Sequence, residues 1–288
     1  MTTNGNRLDR VAKKALESNL KLYSIAQADE NGVTEIRLHP ADACTNSYSV
    51  AKAFIMTAIG LLYDENKISP EDKVLRYLSS QCPLSARAAW REVTVEHLLT
   101  HKVGFDRGFL DIDVENRNEY PTDDFLSLVF SEPLVHTPGT HFQYTDAAYY
   151  MLSVILTEIT GKRADDFLRP LLFEQLEFEE AAFSICPRGY AIGATGLFLR
   201  TRDMVKLGLL YACNGIYRQK RVLSSEWIAT ALARGYEFSP VGHTSWYAKG
   251  GMYGQMLCFS QRHGAALAWH GYETNDVGCL LTALDSEQ

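Results

Sequence analysis

The chain has 288 residues, and its 28 lysines and arginines against 35 aspartates and glutamates give a formal net charge of −7. An apolar fraction of 46% and a charged fraction of 22% are typical of a folded globular protein and exclude a largely disordered chain. The acidic balance gives no electrostatic footprint for nucleic acid or an anionic membrane. No nucleic-acid partner and no membrane span are expected, because the longest apolar stretch, residues 53–62, is too short to cross a bilayer.

The first 19 residues are polar and charged, so no secretory signal is expected. Six cysteines are widely spaced and form no C-x-x-C pair, which indicates reduced, mostly buried thiols rather than a disulfide framework or a zinc site. These features predict a cytoplasmic protein, or a periplasmic or secreted one if a leader is missing from the sequence.

The first elements predicted are a helix over residues 8–20 and a hairpin of residues 22–26 and 33–38 around the turn sequence at 29–32. Further helices are predicted at residues 50–65, 94–101 (opened by a Thr94 cap), 123–131, 146–159 (stopped by Gly161), 164–176, 202–212 and 224–233. Strand-like segments return only at residues 252–260, 265–269 and 277–284.

Strands at both ends of the chain with helices between them predict an α+β fold, in which an antiparallel sheet is flanked by helices. The N- and C-terminal segments, residues 1–69 and 191–288, are expected to form an α/β subdomain together. Residues 70–190 are expected to form an inserted, mainly helical subdomain.

The segment from Ser49 to Lys52 is an S-x-x-K sequence at the start of a predicted helix. Residues three apart share a helical face, so the Lys52 amine can approach the Ser49 hydroxyl and act as its base if the pKa of the lysine is lowered. The alternative is a helix-capping serine with a solvated lysine. A second match, from Ser18 to Lys21, lies at the end of a helix and is interpreted as surface.

The segment NSYSVAKAF at residues 46–54 resembles the active-site serine segment of serine β-lactamases and penicillin-binding proteins. More particularly it resembles the class C β-lactamase-like family, which includes D,D-peptidases, D-aminopeptidases and family VIII esterases. Motifs of that family are matched in order by TVEHLLTHKVG at 94–104, TPGTHFQYTD at 137–146 and GLFLRTRDM at 196–204. The resemblance extends from about residue 49 to residue 284 and implies a β-lactamase/transpeptidase-like fold.

The family's second motif, Y-x-N, has its counterpart in Tyr144, Thr145 and Asp146. The resemblance implies that Tyr144 relays the proton of Ser49 to the leaving group; the alternative is a core tyrosine at a helix entrance. Asp146 replaces the asparagine, and its carboxylate is expected to raise the pKa of Lys52 and to repel a substrate carboxylate. Alternatively, Asp146 merely caps the following helix.

The family's third motif, K-[ST]-G, has no literal match. Its best counterpart by position is the segment Trp269, His270 and Gly271, which resembles the W-G-G variant of family VIII esterases. These residues are expected to line the substrate site, with His270 as a donor. The alternative is a strand end with a satisfied histidine.

By analogy with the family, the backbone N–H groups of Ser49 and Tyr272 are expected to form the oxyanion hole. A rival third motif, residues 249–251, comes one strand too early and is interpreted as a turn with a solvated Lys249. His97 and His101 are spaced like metal ligands on a helix, but no third ligand is evident and the family has the same pair without metal. Neither a metal nor an organic cofactor is expected.

The sequence thus favours a serine hydrolase that acts through an acyl-enzyme on a small ester, amide or peptide substrate. The alternative is a catalytically weakened scaffold that binds a ligand or peptide without efficient turnover, suggested by Asp146 and the altered third motif.

Overall fold

The computed structural model describes residues 5–284. Its α-helices are α1 (Gly5–Glu17), α2 (Ala51–Asp64), α3 (Leu75–Leu78), α4 (Arg87–Trp90), α5 (Val95–Leu99), α6 (Phe125–Ser131), α7 (Asp146–Thr160), α8 (Ala164–Leu168), α9 (Thr201–Ala212), α10 (Ser225–Arg234) and α11 (Gly278–Leu281). Its strands are β1 (Leu22–Asp29), β2 (Gly32–Arg37), β3 (Thr45–Asn46), β4 (Ala181–Phe183), β5 (Leu197–Leu199), β6 (Ile216–Tyr217), β7 (Lys220–Arg221), β8 (Ser239–Pro240), β9 (Tyr247–Gly250), β10 (Met256–Ser260) and β11 (Ala265–Gly271).

The main sheet has six strands in the order β2-β1-β11-β10-β9-β8, and each neighbouring pair is antiparallel. The predicted hairpin is confirmed, because β1 pairs with β2 across a turn in which Gly32 has a φ of 113°. The predicted α+β class, an antiparallel sheet flanked by helices, is likewise confirmed.

Each face of the sheet packs against its own hydrophobic core. On β11, Ala266 and Ala268 enter one core while Leu267 and Trp269 enter the other, as the alternation of side chains along a strand requires. Helix α9 packs against β1, β10 and β11 on the first face, and α1 contacts β1 and α11 on the second. The four tryptophans are buried two to a core: Trp90 and Trp227 in the first, Trp246 and Trp269 in the second.

The predicted starts of α5 and α7 and the predicted stop of α7 are confirmed by their caps, whereas α5 ends at Leu99 rather than at residue 101. The Thr94 side chain accepts a hydrogen bond from the His97 amide in a capping box that opens α5. Helix α7 begins after Thr145, whose hydroxyl accepts from the Ala147 amide at 3.3 Å, and it ends at Gly161 with a φ of 69°.

Three predicted elements are corrected. Residues 277–284 are not a strand: Gly278–Leu281 is helical, and Leu280 is buried in the second core. A short apolar run has no clear period, so it does not distinguish a buried strand from a helical turn. The strand predicted from residue 252 begins at Met256, and the helix predicted over 164–176 becomes a π-helical turn at Arg169–Phe173, around Pro170.

The six main-sheet strands lie outside residues 70–190, whereas α3 to α8 lie within them. We therefore propose the predicted division into an α/β part of residues 1–69 and 191–288 and a helical part of residues 70–190. Two parts of this division lie outside the described residues: residues 1–4, which begin the polar N-terminus, and residues 285–288.

All six cysteines are free thiols, and Cys82, Cys186 and Cys258 are buried. Between residues 5 and 284, no helix combines the length and the apolar character needed to span a bilayer. The cytoplasmic location stays a prediction.

Candidate active site

Ser49 lies in a single 3₁₀ turn, Tyr48–Val50, that leads directly into α2. The turn is held by two hydrogen bonds: the Tyr48 amide donates to Asn46 Oδ1 at 2.9 Å, and the Val50 amide donates to the Ser47 carbonyl at 3.1 Å. Helix α2 is apolar and buried for nearly its whole length, so it fixes this end in the core. Ser49 is therefore presented at the N-terminus of a rigid helix, where the helix dipole favours negative charge.

Lys52 is fully buried one turn after Ser49. Its Nζ lies 2.9 Å from Ser49 Oγ, 2.8 Å from the Ala194 carbonyl and 2.7 Å from Asp146 Oδ1. Burial is the largest single effect and would lower the pKa of Lys52, but Asp146, Tyr144 and Glu237 together outweigh it and the pKa is raised. The ammonium thus donates to the serine oxygen, and Lys52 must lose a proton before it can act as a base.

Tyr144 lies over the same lysine. Lys52 Nζ is 4.8 Å from the centroid of the Tyr144 ring, and a second ammonium, Lys249 Nζ, is 3.5 Å from its hydroxyl. The tyrosine directly precedes the cap of α7, and its ring packs against His101 with centroids 4.5 Å apart. Ser49, Lys52 and Tyr144 are therefore brought together from two helix entrances that are distant in sequence.

Asp146 is the first residue of α7 and is buried against Lys52, as its expected effect on the pKa of that lysine requires. Two further carboxylates, those of Asp111 and Asp113, approach Asp146, and one oxygen from each of the three lies within 4.8 Å of the others. Burial raises the pKa of Asp111 and of Asp113. When these carboxyl groups are ionised, this side of the site repels anions.

The predicted third motif is not in the site. On β11, Trp269 is fully buried in the second core, and His270 Nδ1 lies 2.8 Å from Thr201 Oγ1 at the start of α9. Gly271 packs against β1, where an added Cβ would lie 2.8 Å from the Lys21 carbonyl. The assignment of these three residues to substrate binding is therefore wrong; it relied on an apolar strand at 277–284 that does not form.

Tyr272 cannot serve as the oxyanion donor, because its amide donates to the Lys21 carbonyl at 3.0 Å. Its exposed ring stacks on Tyr253 with centroids 4.3 Å apart, and Tyr253 in turn contacts Tyr48 next to the serine. Tyr272 thus reaches the vicinity of the site through its ring alone.

The strand that borders Ser49 is β9. Lys249 lies on it and is buried rather than solvated, so its interpretation as a turn lysine is wrong. At Gly251 an added Cβ would lie 2.6 Å from the Ser47 carbonyl and 3.3 Å from the Ser49 amide, a closeness that only glycine permits. The segment from Lys249 to Gly251 keeps the lysine and the final glycine of K-[ST]-G, and these two residues were the signal for the third motif.

The histidine pair separates. His97 Nδ1 accepts a hydrogen bond from the Thr94 amide at 3.2 Å, whereas His101 Nε2 lies 2.9 Å from Glu237 Oε1. Glu237 also forms an ion pair with Lys249. It belongs to no motif recognised in the sequence, and only the folded chain connects it with the site.

Known proteins resemble this chain over most of its length. A protein-family model described as Beta-lactamase matches residues 26–271. The 6-aminohexanoate-dimer hydrolase of Paenarthrobacter ureafaciens is 25% identical over 243 residues, which are 77% of this chain and 60% of that protein. The first curated relatives are longer: the chain covers between 39% and 60% of their length.

Two solved structures share nearly the whole architecture. The penicillin binding protein from Bacillus halodurans has a TM-score of 0.75 at 16% identity, covering 96% of this chain and 98% of that one. EstCE1, described as a hydrolase with promiscuous acyltransferase activity, has a TM-score of 0.73 at 15% identity and covers 97% and 98% of the two chains. At these identities the likeness shows the fold alone.

Proposed function

Because the chain belongs to the Beta-lactamase family and has the β-lactamase/transpeptidase-like fold that its sequence predicted, we propose that it is a serine hydrolase working through an acyl-enzyme on an ester or amide. The observation that carries the proposal is the placement of Lys52 Nζ, 2.9 Å from Ser49 Oγ and 4.8 Å from the centroid of the Tyr144 ring. Lys52 thus contacts both the proposed nucleophile and the second proposed proton carrier.

In the first step, Ser49 Oγ forms a bond to the substrate carbonyl carbon while its proton passes to a deprotonated Tyr144 or to a deprotonated Lys52. The ammonium of Lys249 beside the Tyr144 oxygen stabilises negative charge on that oxygen before it takes up the proton. The bond to the leaving alcohol or amine then breaks, and the leaving group takes the proton. Water attacks the acyl-enzyme in the second step and releases the acid.

The oxyanion formed in both steps needs two amide donors. By analogy with the family, the second donor is the amide of the residue that follows the third motif. With the motif at 249–251, that residue is Met252 rather than Tyr272. The first donor remains the Ser49 amide, which lies next to Gly251. The contact of β9 with the serine turn supports this pairing.

The charges around the site support an uncharged acyl group. Asp111, Asp113 and Asp146 lie on the side of Lys52, and Glu237 already neutralises Lys249. A substrate carboxylate would meet three acids and no free ammonium from these residues. We therefore propose esters and uncharged amides ahead of β-lactams and peptides with a C-terminal carboxylate.

A second candidate function is that of a binding scaffold with weakened catalysis. The ion pair between Lys52 and Asp146 favours it, because an ammonium cannot accept the serine proton. Saturable ligand binding without turnover across esters, a cephalosporin and D-amino-acid amides would support this candidate.

The deciding experiment is labelling with a fluorophosphonate probe and a panel of chromogenic esters. We expect one adduct per chain, located at Ser49 by peptide mass spectrometry and lost in Ser49→Ala. The matched control is Ser47→Ala, which removes a buried neighbouring hydroxyl with no hydrogen-bond partner among the described residues. Labelling of Ser49→Ala at the rate of the unmodified protein would reject the proposal.

A further inference from the structure

A buried group of polar side chains lies behind Tyr144, and the proposed acyl transfer does not use its central member. Glu237 is located between α10 and β8, and its side chain is 1% exposed. One carboxylate oxygen, Oε1, accepts a hydrogen bond from His101 Nε2 at 2.9 Å. The other oxygen, Oε2, forms an ion pair with Lys249 Nζ on β9.

The contacts of Glu237 with His101 and Lys249 both lead to Tyr144. His101 Nδ1 accepts the Thr145 amide at 3.3 Å, so the ring proton is on Nε2 and points to the carboxylate. The same histidine ring packs on the Tyr144 ring, with centroids 4.5 Å apart. On the other side, the lysine paired with Glu237 is 3.5 Å from the Tyr144 hydroxyl.

Glu237 is held as a charged group in an unusual backbone conformation. Burial alone would raise the pKa of Glu237, but Lys249, His101 and Lys52 outweigh it and lower the pKa well below its usual range. Its φ of 51° lies in the left-handed region, which favours glycine. A buried glutamate kept there needs its surroundings to hold it in place, and such residues concentrate at functional sites.

We propose that Glu237 is a positioning residue that acts through Lys249, holding the ammonium of that lysine against the Tyr144 hydroxyl, with His101 fixing the carboxylate from the other side. This proposal rests on the proposed serine hydrolase function. It assigns the catalytic effect of Glu237 to a charge that never touches the substrate.

The experiment measures the second-order rate constant for acylation of Ser49 by the fluorophosphonate probe, corrected for the folded fraction. Glu237→Gln keeps the shape and removes the charge, and we expect it to slow acylation about 100-fold. The matched control is Asp203→Asn, which breaks another buried lysine–carboxylate pair, Lys206 with Asp203 at 2.8 Å on α9. The control should lower the melting temperature in the same way while changing the rate less than about 2-fold.

The dependence of acylation on pH separates positioning from mere stability. In Glu237→Gln we expect the alkaline limb to move to lower pH, because a buried ammonium without its carboxylate gives up its proton more readily. Glu237→Asp keeps the charge, so its limb should stay near that of the unmodified protein even if it folds less stably. The titratable groups that face this cluster are Lys52 on α2, His101 after α5, Tyr144, Asp146 and Tyr149 at α7, Tyr211 on α9 and Lys249 on β9.

A double-mutant cycle tests whether the effect passes through Lys249. In a Lys249→Met background, Glu237→Gln should cost little further acylation rate, and this pair remains testable if the single variant fails to fold, because it leaves no orphan charge. If Glu237→Gln lowered the acylation rate equally in the unmodified and the Lys249→Met protein, or left it unchanged in the unmodified protein, this inference would be overturned. The proposed hydrolase function would stand in either case. If the unmodified protein is not labelled at Ser49, the proposed function fails and this inference fails with it.

Discussion

Asp146 stands where the family's motif has asparagine, a side chain of the same size without the charge. The carboxylate is buried and 2.7 Å from Lys52 Nζ, close enough to stabilise the ammonium strongly. The pKa of Lys52 is raised, so the fraction of free amine at neutral pH is small. In the proposed mechanism, this one residue suppresses the basicity of Lys52 without removing the amine.

We expect Asp146→Asn to raise the rate of Ser49 acylation at pH 7. Without the carboxylate the pKa of Lys52 falls, so the acid limb of the pH–rate profile should move to lower pH by about 1–2 units. Because the pKa of Lys52 is raised above its ordinary value, the range from pH 5 to 10 covers the rising part of this limb, where the shift appears as a rate about 10- to 100-fold higher in the variant. Stopped-flow measurement with a chromogenic ester over that range gives the rates, with Asp203→Asn as the control for loss of a buried carboxylate. An unchanged limb would mean that Lys52 is not the titrating base.

The contact between Ser49 and Lys52 follows from a spacing of three at the start of a helix. Tyr144 and Asp146 were identified through the resemblance to a family motif, because no local pattern places them beside Lys52. Glu237 could not be found in the same way. Its partners, His101 and Lys249, are 136 and 12 positions away, and no local pattern encodes contacts at such separations.

Strand β9 sets the distance between residues 249–251, the proposed third motif, and Ser49, the proposed nucleophile. The end of the strand passes so close to the serine turn that a Cβ at residue 251 would overlap the Ser47 carbonyl, whereas residue 250 has room. A backbone contact of this kind positions the following amide, at Met252, relative to Ser49. The position of this amide relative to Ser49 is therefore set by the backbone at the end of β9 rather than by a side chain.

We expect Gly251→Ala to lower the acylation rate by about 100-fold while the fold is kept, because the added methyl group pushes β9 away from the serine turn. Gly250→Ala is the matched control: its Cβ would meet only the flexible Met256 side chain at 3.6 Å and the Gln255 carbonyl at 3.9 Å. Acylation rates and circular dichroism of both variants check this. Equal rates for the two would contradict a tight approach at Gly251.

Most helices could be predicted at this scale, because α7 and α10 carry both caps and apolar spacing. The sequence assigned the third motif to residues 269–271 rather than 249–251 because the order of strands in a sheet is not encoded locally. The segments at 249–251 and 269–271 both precede apolar runs, and only the order β11-β10-β9 shows which of them borders Ser49.

For the whole molecule, the buried His270 links stability to pH. Burial lowers the pKa of His270 to about 3, because the imidazolium is disfavoured in the core. In the unfolded chain the pKa is about 6.5, so between these values the unfolded state binds the extra proton. Stability is therefore lost as the pH falls from about 6.5 towards 3.

We expect His270→Gln to lose less stability than the unmodified protein as the pH falls, because glutamine does not take up a proton. Between pH 7 and pH 5 the free energy of unfolding of the unmodified protein should fall by about 2 kcal/mol more than that of the variant. Urea unfolding at each pH measures the difference. The variant should also keep the acylation rate per folded molecule, since His270 contacts Thr201 rather than the site. Parallel pH dependences of the two proteins would contradict a neutral buried histidine.

The α+β class and the family were accessible from the sequence because strands cluster at the chain ends and four motifs keep their order. The structure that residues 277–284 adopt was not accessible from the sequence. Whether an apolar run near the C-terminus forms a seventh strand or a helical turn depends on which partner surface is free, and α1 already covers that face beside α11.

The distribution of the tryptophans gives each face of the sheet an optical reporter of its own. Trp90 and Trp227 sense the packing of the helical side, while Trp246 and Trp269 sense the layer closed by the two ends of the chain. The fluorescence of single-tryptophan variants can thus distinguish cooperative unfolding of the whole molecule from unfolding in which the layer on the second face of the sheet unfolds first.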